Sequence, residues 1–235
     1  MIRCAALVVL LGLPLLLAAA PAPSAPDLIV PAGLVADPYL SVPLPVSLRR
    51  DPAGRLLVGA LHQVLREEAP GVWTEAAAGT FLATAVDAAP DGTLYIGDSE
   101  WTFSFGVGVV WALPPGAATL ERVCFGPGYW QGVAVLPGGD LLAVNEGFIG
   151  PVTHLDGALH RLPPSTRDAD LFLQPSLLAN ELRNPVSAEI APDGSIYFLD
   201  RGFLDIEQGS LYRFRLGDAA AVEVLPGLDA PYDTA

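Results

Sequence analysis

The sequence predicts an all-β protein, a β-propeller of four-stranded antiparallel blades, and three observations carry that expectation. One phrase recurs four times, as residues 46–59, 85–98, 132–145 and 187–200. Each copy is a short apolar stretch, a Pro-Asp-Gly type turn, and a strand of β-branched or aromatic residues, as in Pro90-Asp91-Gly92-Thr93-Leu94-Tyr95-Ile96. Proline presets φ, aspartate bonds its own backbone and glycine accepts φ > 0, so the flanking strands are brought together antiparallel. The turn glycines Gly54, Gly92, Gly139 and Gly194 are 38, 47 and 55 residues apart, the period of propeller blades. A second pattern, Gly-x-apolar-aromatic-x-apolar, starts at Gly108, Gly157 and Gly209 and keeps phase with the turns. No stretch beyond the N-terminal region sustains a helical period.

The elements follow in order. Arg3, the apolar run from Ala5 to Ala20 and the Ala/Pro/Ser tract up to Pro26 make residues 1–25 a secretory signal peptide, with an uncleaved anchor as the alternative. The chain is therefore expected outside the cytoplasm, secreted or periplasmic. Residues 26–235 form the propeller domain. Asp27-Leu28-Ile29-Val30 resembles an outer strand without a blade of its own. Inner strands are expected to start near residues 43, 81, 130, 184 and 231, each followed by its turn, a second strand, a long loop, a third strand and an outer strand. The last start, Pro231-Tyr232-Asp233-Thr234-Ala235, matches the approach to a turn that the sequence does not contain. About four complete blades are present, and the chain is read as a C-terminally incomplete ring of about six.

Composition narrows the partners. The charged groups are 26 Asp and Glu against 12 basic residues, all of them Arg, for a net charge of −14. Such a charge disfavours nucleic acid and anionic lipid. Cys4 lies in the signal region and leaves only Cys124, so the mature fold rests on packing without an internal disulfide.

Strand parity locates function. In a four-stranded blade the loop after the second strand shares a face with the loop entering the inner strand, opposite the tight turns. Long loops are where sites are found. On this loop face the ligand-binding candidates are Glu100, Trp101, Trp130, Glu146, Arg183, Asn184 and Arg201, suited to a small molecule or carbohydrate. Six residues after each turn glycine stand Ala60, Asp98, Asn145 and Asp200. Asp98, Asn145 and Asp200 supply hard oxygen ligands suited to calcium, although the first reading of such turn-forming residues is as caps of strand ends and local backbone. His154, in a long loop, is the one attractive general base. His160 replaces Trp111 and Tyr212 of the other copies and is read as packing, and Cys124 as a buried thiol.

Pro-Asp-Gly followed by Tyr-Ile-Gly-Asp or Tyr-Phe-Leu-Asp, then Gly-x-Leu-Tyr-Arg, resembles the six-bladed propellers of the NHL-repeat and gluconolactonase-like superfamily over residues 43–235. The resemblance implies the fold and leaves activity open, because this architecture hosts lactonases, dehydrogenases and binding modules. Gluconolactonase-type members hold a divalent metal with Glu, Asn, Asn and Asp, and the corresponding positions here, Leu44, Thr84, Gln131 and Val186, do not match that set. Leu182-Arg183-Asn184-Pro185, with Asp200-Arg201-Gly202, resembles one blade of the soluble pyrroloquinoline-quinone sugar dehydrogenases. The first reading is thus a binding module or scaffold for a cation or carbohydrate. The alternatives are a quinone-dependent sugar dehydrogenase and a metal-dependent lactone or ester hydrolase.

Overall fold

The computed structural model describes residues 39–100, 107–149, 154–155, 157–171, 177–202, 208–229 and 231. Residues 1–38, Trp101 and residues 232–235 lie outside them, and residues from Leu40 onward belong to one compact unit.

Among the described residues all regular structure is β. The first copy of the repeated phrase forms β1 (Ser47–Arg50) and β2 (Leu56–Ala69), followed by β3 (Val72–Ala88). Strand β2 is not straight. Extended, its 14 residues would span roughly 45 Å, yet Arg55, the residue before it, meets Glu68 near its end at 3.0 Å. The reversal is at His62, whose φ of 66° lies in the left-handed region. The outer half of β2 pairs with the first half of β3 in a hairpin running from Leu61↔Leu82 to Ala69↔Val72. The second half of β3 then serves as the next inner strand.

That inner strand opens a meander continued by β4 (Leu94–Glu100), β5 (Val107–Leu113) and β6 (Glu121–Pro127). The next comprises β7 (Trp130–Val135) and β8 (Leu141–Asn145). Its long loop carries the short hairpin β9 (Phe148–Ile149) and β10 (His154–Leu155) before β11 (Gly157–Leu162). Strand β12 (Ala169–Asp170) crosses to pair in parallel with β6, an interlock that the repeat pattern does not foretell. Strand β13 (Leu177–Leu182) completes that four-stranded sheet, in the order β13-β11-β8-β7. The last sheet is β14 (Pro185–Ile190), β15 (Ile196–Asp200), β16 (Gly209–Phe214) and β17 (Val222–Leu228), a four-stranded antiparallel meander.

The four turn glycines have φ of 81°, 90°, 87° and 79°, the conformation that the Pro-Asp-Gly turn requires of its last residue. Inner strands from all four phrases border one channel, lined by Val46, Ser47 and Arg49, by Thr84, Ala85 and Val86, by Gln131, and by Val186 and Ser187. This arrangement around a common axis is that of a propeller. Three apolar clusters fill the spaces between successive sheets. One holds Leu57, Val86 and Ile96, another Val110, Trp130 and Leu141, and the third Leu142, Leu159, Ile196 and Phe198. Polar struts cross the same spaces. Asp87 accepts the Val135 N–H at 2.7 Å, and the Thr84 hydroxyl donates to the Trp130 carbonyl at 2.6 Å. On the turn side of the channel, Arg49 of β1 meets Glu189 of β14 at 2.6 Å.

Candidate functional site

The loop face carries a cavity of about 390 Å³, a size suited to a small molecule. Its walls are Phe81, Leu82, Thr84, Ser99, Tyr129, Gln131, Glu146 and Arg201. Thr84 and Gln131 also line the narrower channel space below, of about 140 Å³, so the two cavities share a wall along the propeller axis. The sites where gluconolactonase metal ligands would fall thus do approach the axis at Thr84, Gln131 and Val186, but with neutral side chains.

The position six residues after each turn glycine does not face this cavity. Both carboxylate oxygens of Asp98 accept the Phe81 N–H at 3.0 Å, one accepts the Leu82 N–H at 2.8 Å, and the other accepts Trp111 Nε1–H at 3.0 Å. Asp200 accepts the N–H groups of Arg183 and Asn184, both at 2.8 Å, and of Gly202 at 3.1 Å. Asn145 accepts the Gly147 N–H at 2.7 Å and donates to the Pro127 carbonyl at 2.5 Å. Each side chain thus pins a loop entering an inner strand or closing its own strand. Among the described residues, no group of three or more His, Cys, Asp or Glu is placed to hold a metal ion.

The residue that follows each of Asp98, Asn145 and Asp200, within β4 and just past the ends of β8 and β15, borders the cavity instead. Ser99, Glu146 and Arg201, seven residues after their turn glycines, all line the cavity. Glu146 and Arg201 therefore lie where the sequence places them. Ser99 was missed, because a serine in a strand carries no sequence signal of its own; only the offset from the turn identifies it.

Other candidates fall elsewhere. Trp130 is a correction: it is fully buried in the apolar cluster between β5 and β7, its ring 5.4 Å from that of His160. Strand alternation sends its side chain into the space between sheets, while the neighbouring Gln131 faces the axis. Arg183 is exposed, and Asn184 is buried beside Asp200; neither lines the cavity. Glu100 ends β4 and His154 pairs with Ile149 in β10, with side chains outside the described set, as is the whole of Trp101. His160 is buried, and that burial lowers its pKa to about 4, so it is a neutral packing group. Cys124 is buried as well, and burial raises its thiol to about 12.

Glu146 is the group with unusual chemistry. Burial raises its carboxyl to about 7, against the opposing pull of the Gln131 amide, which donates to it at 2.9 Å, and of the Arg201 charge. A raised folded pKa means that the folded state holds its proton where the unfolded chain has released it. Folding is therefore unpenalised below about pH 4.5 and increasingly penalised as pH climbs to about 7. Because Glu146 is only half-buried, solvent screening reduces the effect, and Glu146→Gln is expected to stabilise the fold by about 1–2 kcal/mol at pH 8. The gain should vanish below about pH 4.5 in urea titrations. A gain independent of pH would show that Glu146 titrates normally.

No family model and no curated protein matches the sequence. Solved structures do match in fold. A gluconolactonase of Xanthomonas campestris superposes with a TM-score of 0.57 at 13% identity, over 79% of this chain and 62% of that one. A Thermus thermophilus protein described provisionally as an oxidoreductase (glucose dehydrogenase) superposes with a TM-score of 0.56 at 16% identity, over 79% of this chain and 63% of that one. The chain thus spans less than two thirds of the length of either. At these identities the likeness is one of fold, and the chain is a β-propeller of the architecture shared by gluconolactonase-like and glucose-dehydrogenase-like proteins.

Proposed function

We propose that the chain is a secreted or periplasmic binding module that takes a small hydroxylated molecule, of carbohydrate class, in its loop-face cavity. The observation that carries this reading is Glu146, on a cavity wall with Gln131 and Arg201 beside it, whose carboxyl burial raises to about 7 so that it keeps its proton below that pH. A neutral carboxyl donates and accepts hydrogen bonds, which suits it to a ligand hydroxyl. The location outside the cytoplasm rests on residues 1–25 of the sequence.

A second reading is favoured by the same carboxyl. A group that titrates near the working pH is suited to general acid–base catalysis, so hydrolysis of a lactone or ester follows the binding reading closely. The quinone-dependent dehydrogenase has less support. That chemistry needs several basic side chains against the quinone carboxylates, and among the described wall residues Arg201 is the one basic group.

Calorimetric titration with D-glucose and D-gluconate from acid to alkaline pH tests the proposal. D-glucose should bind with a Kd of order 1 mM, about −4 kcal/mol. D-gluconate should weaken as pH rises through about 7, because ionised Glu146 repels the anion. Glu146→Gln should flatten that dependence. Absence of binding by both compounds would sink the reading. Hydrolysis of gluconolactone above the spontaneous rate, lost about a hundredfold in Glu146→Gln, would establish the second reading instead.

A further inference from the structure

We propose that Ser99 is the hydrogen-bonding anchor of the loop-face cavity, taking a hydroxyl oxygen of the ligand. The inference rests on the reading that this cavity accepts a small hydroxylated molecule. Ser99 lies in β4, one residue beyond Asp98, and lines the cavity while only 2% exposed. Among the described residues its Oγ has no hydrogen-bond partner. Thr84 on the same wall differs. Its hydroxyl is engaged by the Gly97 carbonyl at 3.0 Å and the Trp130 carbonyl at 2.6 Å, so it serves the fold. Gln131 is likewise tied to Glu146.

A buried hydroxyl without a partner costs free energy, and replacing it by an apolar group of similar shape removes that cost. Retaining serine there is thus unfavourable to the protein alone. It becomes favourable when a ligand oxygen arrives to donate to or accept from Oγ. The position also places Ser99 in line with Glu146 and Arg201. Ser99, Glu146 and Arg201 occupy the same offset in three successive repeats, so a neutral hydroxyl, an acid and a base surround the cavity. A ligand that meets Arg201 or Glu146 is then oriented by Ser99 at a different point of its outline.

Ser99→Ala tests this, with D-glucose as the probe and calorimetry together with thermal melting as readouts. Ser99→Ala should weaken D-glucose binding about three- to tenfold, the loss of one neutral hydrogen bond. Its melting temperature should be unchanged or higher. Unchanged affinity in a variant whose parent binds would overturn the role of Ser99 and leave the cavity reading standing. A melting temperature several degrees lower would show that the hydroxyl is bonded within the fold, and would overturn it too. Absence of D-glucose binding by the unsubstituted protein would defeat the cavity reading itself, and the anchor with it.

Discussion

Asp98→Ala is expected to destabilise the protein by about 3–5 kcal/mol, measured by urea denaturation. Its carboxylate is 1% exposed and accepts three donors, the Phe81 and Leu82 N–H groups and the Trp111 indole. Truncation leaves all three without that acceptor, and water reaches them poorly. Each orphaned donor costs about 1–3 kcal/mol, with partial relaxation reducing the sum. Asp98→Asn keeps the shape but exchanges one acceptor oxygen for an NH₂ group, so about half the loss is expected. The same substitutions bear on calcium. If the column of Asp98, Asn145 and Asp200 is a set of loop struts, millimolar calcium leaves the melting temperature unchanged. A calcium-dependent rise that disappears in Asp200→Ala would establish a cation site instead, by mass action on the folded state.

The strut geometry explains why the architecture was easy to read and the site was not. Turn chemistry is local: Gly92 and Gly194 need φ near +80 to +90°, and the residues around them announce that need. Hence the hairpins, their phase and the loop face follow from the chain. The third strands at Gly157 and Gly209 are legible for the same reason, through apolar alternation against a common neighbour. Site residues depend on which way one side chain points at the end of a strand. Asp98 and Ser99 are adjacent, yet one serves the loop at Phe81–Leu82 and the other borders the cavity. Chemical type makes Asp98 the candidate metal ligand, whereas the residue that borders the cavity is Ser99. Glu146 and Arg201 are legible as cavity-wall residues because both are charged and stand on the loop face. The reversal of β2 at His62 and the parallel pairing of β12 with β6 depend on tertiary contacts that carry no local signature.

Trp130→Ala is expected to cost about 3–5 kcal/mol, the usual range for emptying a buried aromatic site. The indole is fully buried and fills the space between β5 and β7, beside Gly126, with the His160 ring tilted against it. A Cβ placed on Gly108 would overlap the indole, so glycine there is a packing requirement of this tryptophan. Collapse is hindered because the backbone around the ring is tied down: the Trp130 carbonyl accepts the Thr84 hydroxyl, and Trp130 pairs with Asn145 across the hairpin. The hole therefore stays largely open, and the loss sits toward the upper end of the range. Trp130→Phe keeps much of the apolar contact and should lose about half as much. Neither variant should alter D-glucose affinity at a temperature where it remains folded, since the side chain faces away from the cavity. Reduced affinity with undiminished stability would return Trp130 to the ligand face, where its place in the sequence first put it.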